Sequence, residues 1–169
     1  RTSSLFLPVS GMAKEQKNKI IDNLFKTSRE KFTERIFNPR EIIDLMNFLK
    51  KGKACLYAPD QDYGYKNSTF IDFFGNKALT VKFPYIAARR TQCNVYLFSL
   101  ERKDQKYFAN FKKLNVFGKN LEEDLRTINF EIEEFIRKNP DNYLWSHRRF
   151  KNRPDGEESF YPNNLLRKR

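Results

Sequence analysis

Between Asn120 and Asn139-Pro140, apolar residues return at Leu121, Leu125, Ile128, Ile132, Phe135 and Ile136, the spacing of one face of an α-helix. Asn120-Leu121-Glu122-Glu123 reads as a capping box at its start, and Asn-Pro ends it. A long helix with one apolar face needs a layer to bury it against. Upstream, the chain alternates. Residues 12–26 read as a helix with Ile20, Ile21, Leu24 and Phe25 on one side. Asn38-Pro39-Arg40-Glu41 opens a second helix carrying Ile42, Leu45, Met46 and Leu49, with Gly52 as its stop. Lys53–Ala58 is a short apolar run of the kind buried on both faces of a sheet, ended by Pro59. Thr69–Phe74 is an aromatic run closed by Gly75, and 82–91 suits a short helix. Val95–Leu100 reads as a second buried strand, and 107–117 as a weaker third. This alternation predicts an α/β layer structure around a central sheet, with sites on loops at the carboxyl ends of strands. No repeat, low-complexity block or long linker interrupts it, so 1–169 is expected to be one domain.

Composition removes several classes. Aromatic residues make up 15% of the chain, with 17 Phe and 8 Tyr, too many for a disordered polymer. Two cysteines cannot staple 169 residues, and both sit in apolar runs that predict buried thiols in a reducing compartment. One histidine and no Cys-x-x-Cys leave little for a metal. No stretch approaches the roughly 18 apolar residues needed to span a bilayer. The first residue is Arg1 and the opening lacks a signal-peptide pattern, so the chain reads as the later part of a longer one.

The 33 basic residues outnumber the 21 acidic ones, for a formal charge of +12. Such an excess suits nucleic acid, an acidic membrane face or a phosphorylated ligand, although exposed lysines require no partner at all. Arginine binds phosphate and carboxylate through a planar fork, so Arg89-Arg90, Arg148–Arg153 and Arg167–Arg169 are better site candidates than the scattered lysines.

Two segments can carry chemistry. Ala58-Pro59-Asp60-Gln61-Asp62-Tyr63-Gly64 places two carboxylates at the end of a strand, where they can orient polar groups or form an ordinary turn. Tyr143–Pro154 gathers the only Trp, the only His and several basic residues. That interleaving serves single-stranded nucleic acid or a phosphorylated lipid headgroup; it also describes a strand with one buried aromatic face. No nucleophile elbow or Gly-rich phosphate loop is present. His147 beside two arginines is expected to resist protonation and not to act as the catalytic base.

Taken in order, Leu49–Gly52, Ala58–Gly64, Ser68–Phe70, Phe73–Gly75 and Asn142–Glu157 resemble the late acyltransferases of lipid A biosynthesis, the lauroyl and myristoyl transferases. The resemblance covers about residues 29–162. It implies a central mixed sheet flanked by helices, glycerolipid-acyltransferase-like, of which this chain is the C-terminal part only. It also implies an enzyme at the cytoplasmic face of the bacterial inner membrane. Such an enzyme moves a fatty acyl chain from the acyl carrier protein thioester to a hydroxyl of a phosphorylated lipid A precursor, with no cofactor and no nucleic acid.

In that family a His-x-x-x-x-Asp/Glu pair deprotonates the acceptor. Here the only histidine is His147, and the fifth residue after it is Asn152, where the family usually has Thr. The catalytic residues are therefore expected upstream, together with the membrane anchor, and the fragment itself is expected to be inactive. By resemblance, Arg29, Asp60, Asp62, His147, Arg148, Arg149 and Arg153 are the substrate-binding candidates. The rival readings are a basic nucleic-acid-binding domain, and an inactive homologue that binds lipid or acyl carrier protein. For the arginine pair, the rival is structural support of the sheet through Asp60 or Asp62.

Overall fold

The computed structural model describes residues 9–162. The chain divides into two units, one formed by residues up to Ala58 together with Arg90–Cys93, the other by Pro59–Arg89 and the chain from Asn94 onward.

The first unit is built on three parallel strands. β1 (Val9–Met12) lies between β2 (Ile36–Phe37) and β3 (Ala54–Leu56). Parallel neighbours need crossovers, and two helices provide them: α1 (Lys19–Glu30) between β1 and β2, and α2 (Ile42–Lys50) between β2 and β3. The helix expected over 12–26 therefore starts later, and residues 9–12 are the middle strand. Asn18 sets the start: its side chain accepts from the Ile20 and Ile21 amides, at 2.9 and 3.3 Å. Ahead of α2, Glu41 reaches back to the Asn38 amide at 2.7 Å, the half of the capping box that the spacing predicted. Phe37, Leu45, Met46 and Val9 are buried, with Phe37 edge-on to Phe48 at 5.3 Å. β3 does not match the expectation of a strand covered on both faces. It is an edge strand of this sheet and Leu56 is 43% exposed. Cys55 is half-buried, and burial pushes its thiol up to about 12.

The second unit packs two hairpins and a long helix. β4 (Ser68–Phe73) and β5 (Asn76–Val81) pair antiparallel through the two-residue turn Phe74-Gly75, both residues at positive φ. α3 (Phe83–Thr91) follows, and β6 (Val95–Lys103) and β7 (Lys106–Leu114) form the second hairpin around Asp104-Gln105. α4 (Leu121–Lys138) then lies against β4, and Leu125, Ile128, Ile132 and Ile136 join Ile71, Phe73, Ala78, Leu114 and Val116 in one core. Alternation along β6 leaves Tyr96, Phe98 and Leu100 exposed and Val95 and Leu97 only half-buried, so Val95–Leu100 is not the buried strand that its apolar run predicts. No helix among the described residues is long and apolar enough to cross a membrane.

Asn120 caps α4 by accepting from the Glu122 and Glu123 amides at 3.0 and 3.2 Å. Replacing it with alanine is expected to cost about 1 kcal/mol in urea unfolding, with little change in the slope of the transition.

Candidate functional site

The loop after β3 and the chain after α4 converge within the second unit. Asp62 is the centre. Its side chain is fully buried and accepts from the Gly64 amide at 2.8 Å and from Asn152 Nδ2 at 2.9 and 3.0 Å, one contact to each oxygen. Lys151 Nζ stands 3.6 Å from the same carboxylate and donates to the Asp62 carbonyl at 2.9 Å. The Asp62 amide donates to His147 Nε2 at 2.9 Å. One residue thus fastens 147, 151 and 152.

This last bond fixes the histidine's chemistry. Nε2 is an acceptor here, so the imidazole is neutral with its proton on Nδ1. Burial first, then the Lys151 ammonium, hold its affinity for a second proton below the ordinary value. The direction expected from the two neighbouring arginines holds, but burial is the main cause, and of the cations Lys151 acts more strongly than Arg149. The unfolded chain therefore takes up this proton before the folded one as the pH falls. His147's contribution is full above about pH 6.5 and shrinks as the pH drops toward the lowered folded value. Between about pH 7.5 and 5.5, the wild type should lose more stability than His147→Gln. Parallel pH slopes for the two proteins would refute that assignment.

Arg149 is 2% exposed. It donates to the Leu79 carbonyl and, at 3.0 Å, to Thr80 Oγ1, and its guanidinium lies 5.1 Å over the Phe73 ring. Thr80 Oγ1 also accepts from Asn129 Nδ2 at 3.0 Å and donates to the Ala78 carbonyl at 3.2 Å, which uses its full capacity. Asn129 extends the network to the Asp72 carbonyl at 2.9 Å. Arg153 donates to the Lys77 carbonyl at 2.6 Å, pairs with Glu157 and lies 4.1 Å over Phe160. Arg149 and Arg153 thus hold the β4–β5 hairpin through its backbone. Neither is seen paired with Asp62, whose partners are Asn152 and Lys151.

The remaining candidates fall elsewhere. Asp60 is half-buried, and its charge raises the affinity of Tyr63 and Tyr143 for their protons, second to burial in both; Tyr143 is pushed up to about 12. Arg148 is half-buried beside this loop's partners in sequence, its carbonyl accepting from the Lys151 amide at 3.3 Å. Arg29 belongs to the first unit, in the last turn of α1, with its guanidinium 5.4 Å from the Phe25 ring centroid. The segment 143–153 is a series of turns, His147 to Leu144, Arg149 to His147 and Lys151 to Arg148, so the strand with a buried aromatic face is not formed.

Sequence reasoning missed Lys151 as a partner of Asp62, and Asn129, Thr80 and Asp124 as buried polar groups. A signal existed for two of them. Asp124 and Asn129 lie inside the apolar stripe of α4, where a polar residue needs a dedicated partner. Among the described residues, no group of three or more His, Cys, Asp or Glu could hold a metal ion.

An α/β chain whose acidic loop is clamped by an aromatic and basic segment defines a class that the comparisons make specific. The family described as bacterial lipid A biosynthesis acyltransferase matches residues 7–152, and the chain belongs to that family, with its glycerolipid-acyltransferase-like fold. It is 30% identical over 165 residues to the lipid A biosynthesis palmitoleoyltransferase of Escherichia coli K12, covering 95% of this chain and 54% of that protein. To the lauroyltransferase of the same organism it is 30% identical over 159 residues, 91% of this chain and 52% of the relative. A lipid A biosynthesis acyltransferase of Haemophilus influenzae is 26% identical over 157 residues, 91% and 49% respectively. The chain spans about half the length of the curated relatives it matches.

Proposed function

We propose that this chain is part of a late acyltransferase of lipid A biosynthesis acting at the cytoplasmic face of the bacterial inner membrane. The enzyme moves a fatty acyl group from the acyl carrier protein thioester to a hydroxyl of a phosphorylated lipid A precursor, without a cofactor. A C–O ester bond forms and the C–S thioester bond breaks. The hydroxyl proton passes to a general base and on to the departing thiolate. The observation that carries this reading is that residues far apart within the family-matched segment, His147 and Asn152, meet at the buried Asp62.

The general base belongs to residues outside this chain. His147 is its only histidine, its Nε2 is occupied by a backbone amide, and the fifth residue after it is Asn152. Asp62, His147, Arg149 and Arg153 shape the wall of the acceptor site, and Asp60 and Arg148 are the polar groups available to touch the acceptor. Arg29 is assigned to the acceptor's anionic groups by the family resemblance alone. A nucleic-acid role fits less well, because Arg149 and Arg153 direct their donors inward to backbone carbonyls.

The test is a lipid A mass spectrum from a host lacking its late acyltransferase and carrying the complete reading frame. A gain of one acyl mass is expected, and the 169-residue chain alone should give none. An unchanged spectrum from well-expressed, membrane-bound protein would overturn the reading in favour of a homologue that binds without turnover.

A further inference from the structure

We infer that α1 is an interfacial helix that lies in the headgroup region of an anionic membrane. This names the element that meets lipid; it rests on the geometry of α1 and stands apart from the transfer chemistry proposed above.

None of the twelve residues of α1 is buried. Ile20 is 81% exposed, Leu24 68%, Phe25 45% and Ile21 44%. At 100° per residue these four fall within an arc of about 140°, one continuous apolar face. A helix of this length is marginal in water without something to cover that face. At 1.5 Å per residue it is about 18 Å long, too short to span a bilayer and long enough to lie along its surface.

Charge selects the occupant. Residues 14–31 carry Lys14, Lys17, Lys19, Lys26, Arg29 and Lys31 against Glu15, Asp22 and Glu30. The three carboxylates are engaged locally: Glu15 accepts from Asn38 Nδ2 at 3.2 Å, Asp22 from the Gln16 amide at 2.8 Å, and Glu30 pairs with Lys26 at 3.9 Å. All six cations are exposed. Arg29 borders the apolar arc with its guanidinium near the exposed Phe25 ring, where a cation can reach a phosphate while the ring enters the apolar layer. Apolar face, cationic margin and low overall hydropathy are the properties of helices that bind acidic lipid surfaces. A second copy of the chain fits poorly, since four side chains fall well short of the roughly 800 Å² per partner of a stable interface.

The 169-residue chain is mixed with vesicles of equal parts phosphatidylglycerol and phosphatidylcholine, or of phosphatidylcholine alone. Leu24→Trp in a Trp145→Phe background puts the single indole on α1. The expected results are a blue shift, quenching by brominated acyl chains on the anionic vesicles, and weaker binding on the neutral ones. Leu24→Asp and, separately, Ile20→Asp should each lower partitioning about tenfold or more. Both sites are exposed, so unchanged circular dichroism and urea midpoints are expected; a misfolded variant is replaced by Ile20→Ser, for which weaker binding is again expected.

Salt at about 0.5 M should weaken binding without abolishing it. Wild-type affinity in the aspartate variants would overturn the inference. So would a water-exposed indole on vesicle-bound protein, which would assign binding to another basic surface. A blue shift that follows protein concentration without lipid would assign the face to a second copy. The assay contains no acyl donor, so its failure leaves the transfer reading intact.

Discussion

Asp62→Ala is expected to destabilise the 169-residue chain by about 2–4 kcal/mol, read as a lower urea midpoint. The substitution removes the acceptor of two Asn152 contacts and one Gly64 amide, and the carboxylate opposite Lys151, all at a fully buried side chain. Lys151 is partly exposed and can turn to water, which keeps the loss below that of a fully enclosed pair. Asn152→Asp gives a sharper result. It writes a His-x-x-x-x-Asp pattern into the sequence at His147, yet it brings a second carboxylate to within about 3 Å of Asp62, where like charges disfavour ionisation. At least one carboxyl of the pair then has a folded affinity for protons raised above its unfolded value. The variant should be closest to wild type at low pH and lose stability as the pH rises through that raised value. It should show no acyl transfer, because His147 Nε2 still accepts from the Asp62 amide. The exchange Asp62→Asn with Asn152→Asp restores a donor opposite a carboxylate and should recover part of the loss. A double variant no better than the sum of the singles would contradict this account of the cluster.

Gly118→Ala is the second large effect. Gly118 sits at φ +69°, and a Cβ there would lie 2.3 Å from the Arg89 backbone nitrogen and 2.4 Å from its Cα. Neither atom can swing aside as a side-chain end can. The Gly118 amide is also held by Asp124 at 2.6 Å and the Phe117 amide by the same carboxylate at 3.2 Å, which leaves the turn little room to retreat. About 3 kcal/mol or more of lost stability is expected. Gly52→Ala is the control. Gly52 has φ +76° with nothing within 4 Å of the added atom, so only the conformational cost of about 1 kcal/mol applies. Equal losses at the two sites would refute the close approach as the cause.

How much of this was legible in the sequence differs by residue. α4 was legible because its cap, its stripe and its stop are local, and Leu125, Ile128, Ile132 and Ile136 are buried as the spacing requires. β1 was not: Val9–Met12 is too short to show a period, and its strand state comes from two neighbours at Ile36–Phe37 and Ala54–Leu56. The acidic loop and the basic segment were each visible as candidates, but not the way they join. Asn152, noticed only as a departure from the family's Thr, is the residue that holds Asp62. Arg149 looked like a phosphate binder because its side chain is suited to one; its partners at Leu79 and Thr80 lie about 70 positions earlier, beyond any local pattern.

The separation of 90 residues between Asp62 and Asn152 has a consequence for biosynthesis. At about 5–20 residues per second, roughly 5–18 s pass between translation of the acidic loop and of the asparagine that holds it. During that interval Asp62 has only the nearby Gly64 amide among its observed carboxylate partners. The loop therefore reaches its final form only once residue 152 has been made, and a chain cut short before residue 147 would leave the ribosome with a carboxylate and an amide lacking the distant partners they are built to meet.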